Sequence, residues 1–171
     1  MQLEETIAEY IKEVKVITEK HQYYHLMKEN MEFKYIKLTK TAKAPEKVAG
    51  NACYDLSYDG ESVKIEPGER LLLSTGLILV FPFDYHGFIK SRSGLAWKHG
   101  LAVIAGIIDN SYTSETKVVL VNHSSMSYTI ERGDRIAQIY LTKDNTFPLK
   151  EISLEELKET NRGLGFGSSG K

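Results

Sequence analysis

The chain has 171 residues, is 42% hydrophobic and 26% charged, and carries a formal net charge of −1. These values bound it to one soluble globular domain with room for an appendage, and the near-neutral charge argues against a dedicated nucleic-acid binder. The single cysteine, Cys53, excludes an internal disulfide, and no apolar run reaches the roughly 18 residues of a membrane-spanning helix.

Residues 1–32 open with MQLEETIAEY, which is acidic and amphipathic and so reads as neither a signal nor a transit peptide. A cytoplasmic protein is expected, with the nucleus as the other compartment and no membrane partner. Leu3, Ile7, Tyr10, Val14, Ile17, His21 and Tyr24 recur at alternating spacings of four and three, and Ile11 widens the stripe. That periodicity predicts an amphipathic helix, packed on its own domain or serving as a short coiled-coil arm between subunits. Membrane binding is disfavoured because acids and bases mix on the polar face.

From residue 33 to 158 the pattern changes. Short alternating or apolar runs fall at 33–38, 62–65, 70–74, 76–81, 86–90, 101–108, 117–121, 127–130 and 135–141. Asp59-Gly60, Pro67-Gly68, Pro82 and Arg132-Gly133-Asp134 punctuate them as turns. Many short strands without an interleaved helical pattern predict an all-β sandwich or barrel. One short helix is expected at 153–159, with Ser153 as its N-cap and Glu156 completing a capping box.

Two polar islands interrupt the apolar frames. Ser91-Arg92-Ser93-Gly94 supplies a guanidinium fork, hydroxyls and accessible backbone N–H groups, a natural anion holder. Asp109-Asn110-Ser111-Tyr112 follows the apolar run from Val103 to Ile108, so the Asp109 carboxylate is expected at the mouth of a core strand, where a general base can work. The competing reading of the same stretch is a β-hairpin with ordinary turn polars.

The final segment, 159–171, is Gly-rich. Gly163, Gly165, Gly167 and Gly170 cannot build a core but can wrap an anion, with Arg162, Ser168 and Ser169 as donors and Phe166 free to stack on a flat ring. It matches most of a Walker A loop, yet lacks the Ser/Thr and following helix, which rejects a P-loop NTPase. Composition alone also reads it as a mobile tail. Of the 5 histidines only His21 and His25 have ligand-like spacing, and surface or packing roles are favoured for them. Cys53 reads as a small packed residue, Trp97 as core or interface, and Arg135 as a structural ion-pair partner.

Taken together, these segments resemble the trimeric dUTPase family. Asn51 to Leu56 resembles its first motif, A-G-x-D-L, and Ser91 to Ala96 its second, P-R-S-G-L-A. Gly106 to Tyr112 resembles the third, G-[VL]-I-D-x-D-Y-R-G, Gly133 to Gln138 matches the fourth, and Arg162 to Gly170 resembles the fifth, R-G-x-G-G-F-G-S-T-G. The resemblance implies a jelly-roll-like β fold and a homotrimer whose active sites are shared between subunits. It implies hydrolysis of dUTP to dUMP and pyrophosphate, with Asp109 deprotonating the water that attacks the α-phosphorus. Mg²⁺ would be held mainly by the triphosphate, with Asp55 reaching it through water. Arg92, Ser93, Gly94 and Gln138 would position phosphates, and backbone groups at Ala105 and Gly106 would read uracil. Tyr112 would lie under the deoxyribose. Phe166 would cover the base while Arg162, Gly167, Ser168 and Ser169 close on the phosphates.

Departures accompany the resemblance. Cys53 and Ser91 replace the glycine of the first motif and the proline of the second. Ser111 and Thr113-Ser114 replace Asp and Arg-Gly in the third, and the fifth is one residue short before Phe166. Two other readings remain open at this point. A dCTP deaminase shares the fold but needs a glutamate where Val119 stands, and a non-catalytic regulator would bind nucleotide and a protein partner without hydrolysis.

Overall fold

The structure, a computed structural model, describes residues 31–157. The helix expected within 1–32 and the tail at 159–171, with Arg162, Phe166, Gly167, Ser168 and Ser169, fall outside the described residues. What is described is mostly β, as the runs predicted.

The strands are β1 (Lys34–Lys37), β2 (Tyr54–Ser57), β3 (Val63–Ile65), β4 (Arg70–Ser74), β5 (Leu77–Val80), β6 (Tyr85–Lys90), β7 (Leu101–Ala105), β8 (Ile107–Ile108), β9 (Lys117–Asn122), β10 (Tyr128–Ile130) and β11 (Arg135–Lys143). They form a four-stranded sheet ordered β2-β11-β6-β8, a three-stranded sheet ordered β4-β9-β7, and the two-stranded ribbons β1-β5 and β3-β10. Every pairing is antiparallel.

Period-two patterning decides which face goes inside. In β9 Val118, Leu120 and Asn122 are buried while Lys117 is exposed and Val119 and Val121 are half-buried. Leu56, Ile89, Ala137 and Ile139 of the four-stranded sheet meet Leu73, Leu101, Val118 and Leu120 of the three-stranded one in a common core. Each large aliphatic so buried stabilises the fold by about 1.5–3 kcal/mol. The buried Asn122 is fully satisfied. Its Nδ2 donates to the Ile65 and Met126 carbonyls, and its Oδ1 accepts from the Ser124 N–H and hydroxyl.

Three expectations need correction. The run 101–108 is not one strand: β7 belongs to the three-stranded sheet, β8 to the four-stranded sheet, and the chain changes sheets at Gly106. A Cβ at Gly106 would strike the Ile89 carbonyl oxygen, and the Gly106 carbonyl accepts from the Ile89 N–H at 2.7 Å, so the crossing needs a residue without a side chain. Second, α1 (Ser93–His99) interrupts the strands. It buries none of its residues, so no apolar stripe announced it, and Gly100 closes it in the left-handed conformation at φ 65°. Trp97, on its surface, is 89% exposed and is no part of this chain's core. Third, the helix expected at 153–159 is only a 3₁₀ turn, Leu154–Glu156. The Ser153 N–H does donate to the Glu156 carboxylate at 3.3 Å, but Leu154 and Leu157 stay exposed, so no buried face extends the turn. The strand β2 lay unrecognised within a motif, because a four-residue run holding an aspartate shows little alternation.

Candidate active site

The register of the four-stranded sheet sets out the site. Along β6, Gly87 and Ile89 point into the core while His86, Phe88 and Lys90 point outward. Lys90 pairs with Gln138, Phe88 with Tyr140, and His86 with Thr142. Gln138 in turn pairs with Asp55 of β2, and Phe88 pairs with Ile107 of β8. The outward face therefore carries three successive rows: Lys90, Gln138 and Asp55 at one end, Ile107, Phe88 and Tyr140 across the middle, and His86 and Thr142 at the other end.

The first end is a charged knot. Asp55 accepts from Arg92 Nε and from an Arg135 guanidinium N–H, each at 2.9 Å, one on each carboxylate oxygen. Arg92 also donates to the Arg135 carbonyl at 3.0 Å. Gln138 Nε2 donates to the Ser91 carbonyl at 2.8 Å, and Ser91 Oγ accepts from the Val103 N–H at 2.9 Å. Ser91, where the resembling motif has proline, thus ties the polar island to β7. Arg135 takes the ion-pair role expected of it. Arg92 and Asp55 are the more enclosed partners, with side chains 25% and 22% exposed. Ser93 and Gly94 begin α1 and are exposed beside this knot. Arg92, Leu95, Leu101, Tyr128, Ile130 and Asp134 line a small cavity here with Arg135 and Ile136.

Asp109 lies at the opposite end. It leaves β8, is exposed, and shares an open cleft of about 490 Å³ with His86, Ile107, Asn110, Ser111 and Asp144. Its carbonyl accepts from the Tyr112 N–H at 3.1 Å, closing a turn that brings Tyr112 back toward the sheet. The Tyr112 hydroxyl donates to the Glu115 carbonyl at 2.9 Å, and the residue is 41% exposed. Ala105 is exposed at the end of β7, next to Gly106. From the row of Lys90 to that of His86 is four residues of strand, about 13 Å. Within one chain the expected base and the expected phosphate holders share a sheet face but line different cavities.

Sequence reasoning missed Asn110, His86 and Asp144 in the Asp109 cleft. Asn110 Nδ2 donates to the Pro82 and Tyr85 carbonyls at 2.8 and 2.7 Å, and His86 Nδ1 is hydrogen-bonded to Asp144. Asn110 was adjacent to the named aspartate and could have been found; the His86–Asp144 pair spans 58 residues and leaves no local signal.

Among the described residues no cluster of three or more His, Cys, Asp or Glu side chains could hold a metal ion. Asp55 keeps a second lone-pair position on each oxygen beyond its arginine bonds, which would suit a carboxylate that accepts a hydrogen bond from a metal's water rather than ligating the metal itself. Position 119, where deamination needs a carboxylate, is a half-buried valine paired with Leu72 and Ala105.

Comparison with known proteins identifies the family. The family model for dUTPase matches residues 40–170. A deoxyuridine 5′-triphosphate nucleotidohydrolase of Candida albicans is 47% identical over 131 residues, covering 75% of this chain and 82% of its own. One from Nautilia profundicola is 42% identical over 145 residues, covering 82% of this chain and all of its own. Among solved structures, the Staphylococcus bacteriophage 80alpha dUTPase with dUpNHpp is 28% identical with a TM-score of 0.74, covering 82% of this chain and 99% of its own. A dUTPase of phage phi11 of S. aureus, at 24% identity and a TM-score of 0.68, was solved with a structural Mg(II) ion.

Proposed function

The chain belongs to the dUTPase family and hydrolyses dUTP, and from that premise we propose that Asp109 is the base that activates water for attack on the α-phosphorus, releasing dUMP and pyrophosphate. The observation that carries this is the placement of Asp109, an exposed carboxylate just past the end of β8, in a register that continues the sheet face of Asp55 and Gln138, with Arg92 bonded to Asp55. A base must be reachable by water yet held at a fixed distance from the reacting phosphorus, and a short strand end joined to a rigid sheet gives both.

Arg92 and Gln138 bind the phosphates, Ser93 and Gly94 offer backbone N–H groups at the start of α1, and the Ala105–Gly106 backbone reads the uracil edge. Tyr112 packs under the deoxyribose and excludes a 2′-hydroxyl. Asp55 would hold the water of an Mg²⁺ carried on the triphosphate, and that ion would supply neutralisation of phosphate charge. Arg162, Phe166, Gly167, Ser168 and Ser169, which lie outside the described residues, are assigned to nucleotide binding by the motif they resemble.

The 13 Å between the two ends of the sheet face, roughly, is too long for one base to serve phosphates held in the same chain. The site is therefore completed by a second copy, in a homotrimer, with Asp109 of one subunit meeting Arg92 and Gln138 of another. The middle row, with Ile107 exposed and Phe88 and Tyr140 half-buried, supports this. Ile107 is 64% exposed, and Phe88 stacks on Tyr140 with centroids 5.5 Å apart, an apolar band suited to burial between copies. The same reading places the protein in the cytoplasm or nucleus.

Replacing Asp109 by Asn tests the assignment. The amide keeps the shape but cannot take a proton, so kcat should fall roughly 10²- to 10⁴-fold while dUpNHpp still binds. Turnover near wild type in the folded variant would refute it.

A further inference from the structure

The phosphate knot, the α1 surface and the exposed apolar band all belong to the reading above. The His86–Asp144 pair does not. Two ties fix the relation of His86 to Asp109. On one side Gly87 pairs with Ile108 in the β6–β8 ladder. On the other, Asn110 Nδ2 donates to the Tyr85 carbonyl at 2.7 Å. His86 and Asp109 are the residues between those ties, facing each other across the gap, and both line the same cleft. β8 ends at Ile108, and the register of its last pair, carried one residue further, sets Asp109 opposite His86.

The imidazole is also held in orientation. Its Nδ1 is bound by Asp144, whose own N–H donates to the Asp84 carbonyl at 2.7 Å. Its ring leans on Phe88 at 5.1 Å and 56°. The side chain is 22% exposed, and among the described residues Nε2 has no hydrogen-bond partner. A carboxylate on Nδ1 places the ring proton there and leaves Nε2 of the neutral ring as an acceptor.

We propose that His86 is a second acceptor for the attacking water, working beside Asp109 with its ring fixed by Asp144. A water donating one hydrogen to Asp109 and the other to His86 Nε2 must turn an oxygen lone pair away from both, toward the phosphorus. The water oxygen forms the new bond to the α-phosphorus, the bond from that phosphorus to the bridging oxygen breaks, and pyrophosphate leaves. The proton goes to Asp109; His86 only accepts a hydrogen bond. The proposal rests on the assignment of Asp109 as base.

The test compares His86→Gln, His86→Asn and His86→Phe with wild type on dUTP, alongside Kd for dUpNHpp and thermal unfolding. Gln can set an acceptor near the reach of Nε2; Asn reaches only the level of Nδ1. Loss of water orientation should lower kcat roughly 10- to 100-fold in the Phe and Asn variants. KM and the dUpNHpp Kd should stay within about threefold, and the Gln variant should recover much of kcat. Equal kcat in the folded Gln and Asn variants, or a loss that falls on Kd rather than kcat, overturns the proposal. If instead Asp109→Asn retains turnover, the underlying assignment fails, and that result is separate from any His86 result. Asp144→Ala adds a second arm: it should lower kcat in wild type but not further in His86→Gln, and an equal cost in both backgrounds would also overturn the proposal.

Discussion

Residues in this fold owe their chemistry to what surrounds them more than to their type. Tyr58 is an example away from the active site. It is 8% exposed and its hydroxyl donates to the Glu61 carbonyl at 2.7 Å. Burial, and then the Glu61 charge, push its phenol above the ordinary value, while Arg132 pulls the other way. The unfolded phenol loses its proton first, near pH 10. Folding stability should therefore be unaffected by this group below that pH and fall as pH rises past it. In Tyr58→Phe the alkaline fall should be shallower, measured as midpoint of unfolding between pH 9 and 11, roughly. At this scale the sequence was informative about single residues with strong chemistry, Asp109 and Arg92, because their types limit what they can do. It was silent on His86, whose meaning comes from a partner far along the chain.

Elements with their own period were legible, and elements without one were not. The strand β4 was read to its ends because Leu71 to Leu73 are flanked by turn residues. The helix α1 escaped because Leu95 is its one half-buried residue, and β2 because four residues cannot display a pattern. The division of 101–108 escaped for a different reason: hydrophobicity does not record which sheet a strand joins. Only the lone Gly106 inside the run marked it. Gly106→Ala forces a Cβ onto the Ile89 carbonyl, so β8 must shift away from β6. The expected outcome is a loss of about 1–3 kcal/mol in stability and a drop in kcat larger than the drop in dUpNHpp affinity, read by denaturant unfolding and steady-state kinetics. Unchanged kcat in that variant would show that β8 tolerates the displacement.

For the whole molecule, the division of the site between two ends of one sheet face makes a definite demand on assembly. If Asp109 of one copy serves Arg92 of another, two inactive variants should complement each other. Asp109→Asn and Arg92→Ala, each inactive alone, should regain activity when unfolded together and refolded as a mixture, since about a quarter of sites would then draw both intact residues. A mixture as inactive as its parts would place each site within a single chain. The general β architecture was legible in the sequence, but this demand was visible only as an implication of resemblance, because distance along a sheet face appears only once register is known. The change of sheets at Gly106 also bears on time. Asp109 has no fixed place until β7 has joined β9 and β8 has joined β6, non-local pairings whose partners lie 14 to 21 residues apart. During refolding from denaturant, far-ultraviolet circular dichroism should recover first and dUTP turnover after a lag, with the lag lengthened when the Gly106 crossing is obstructed.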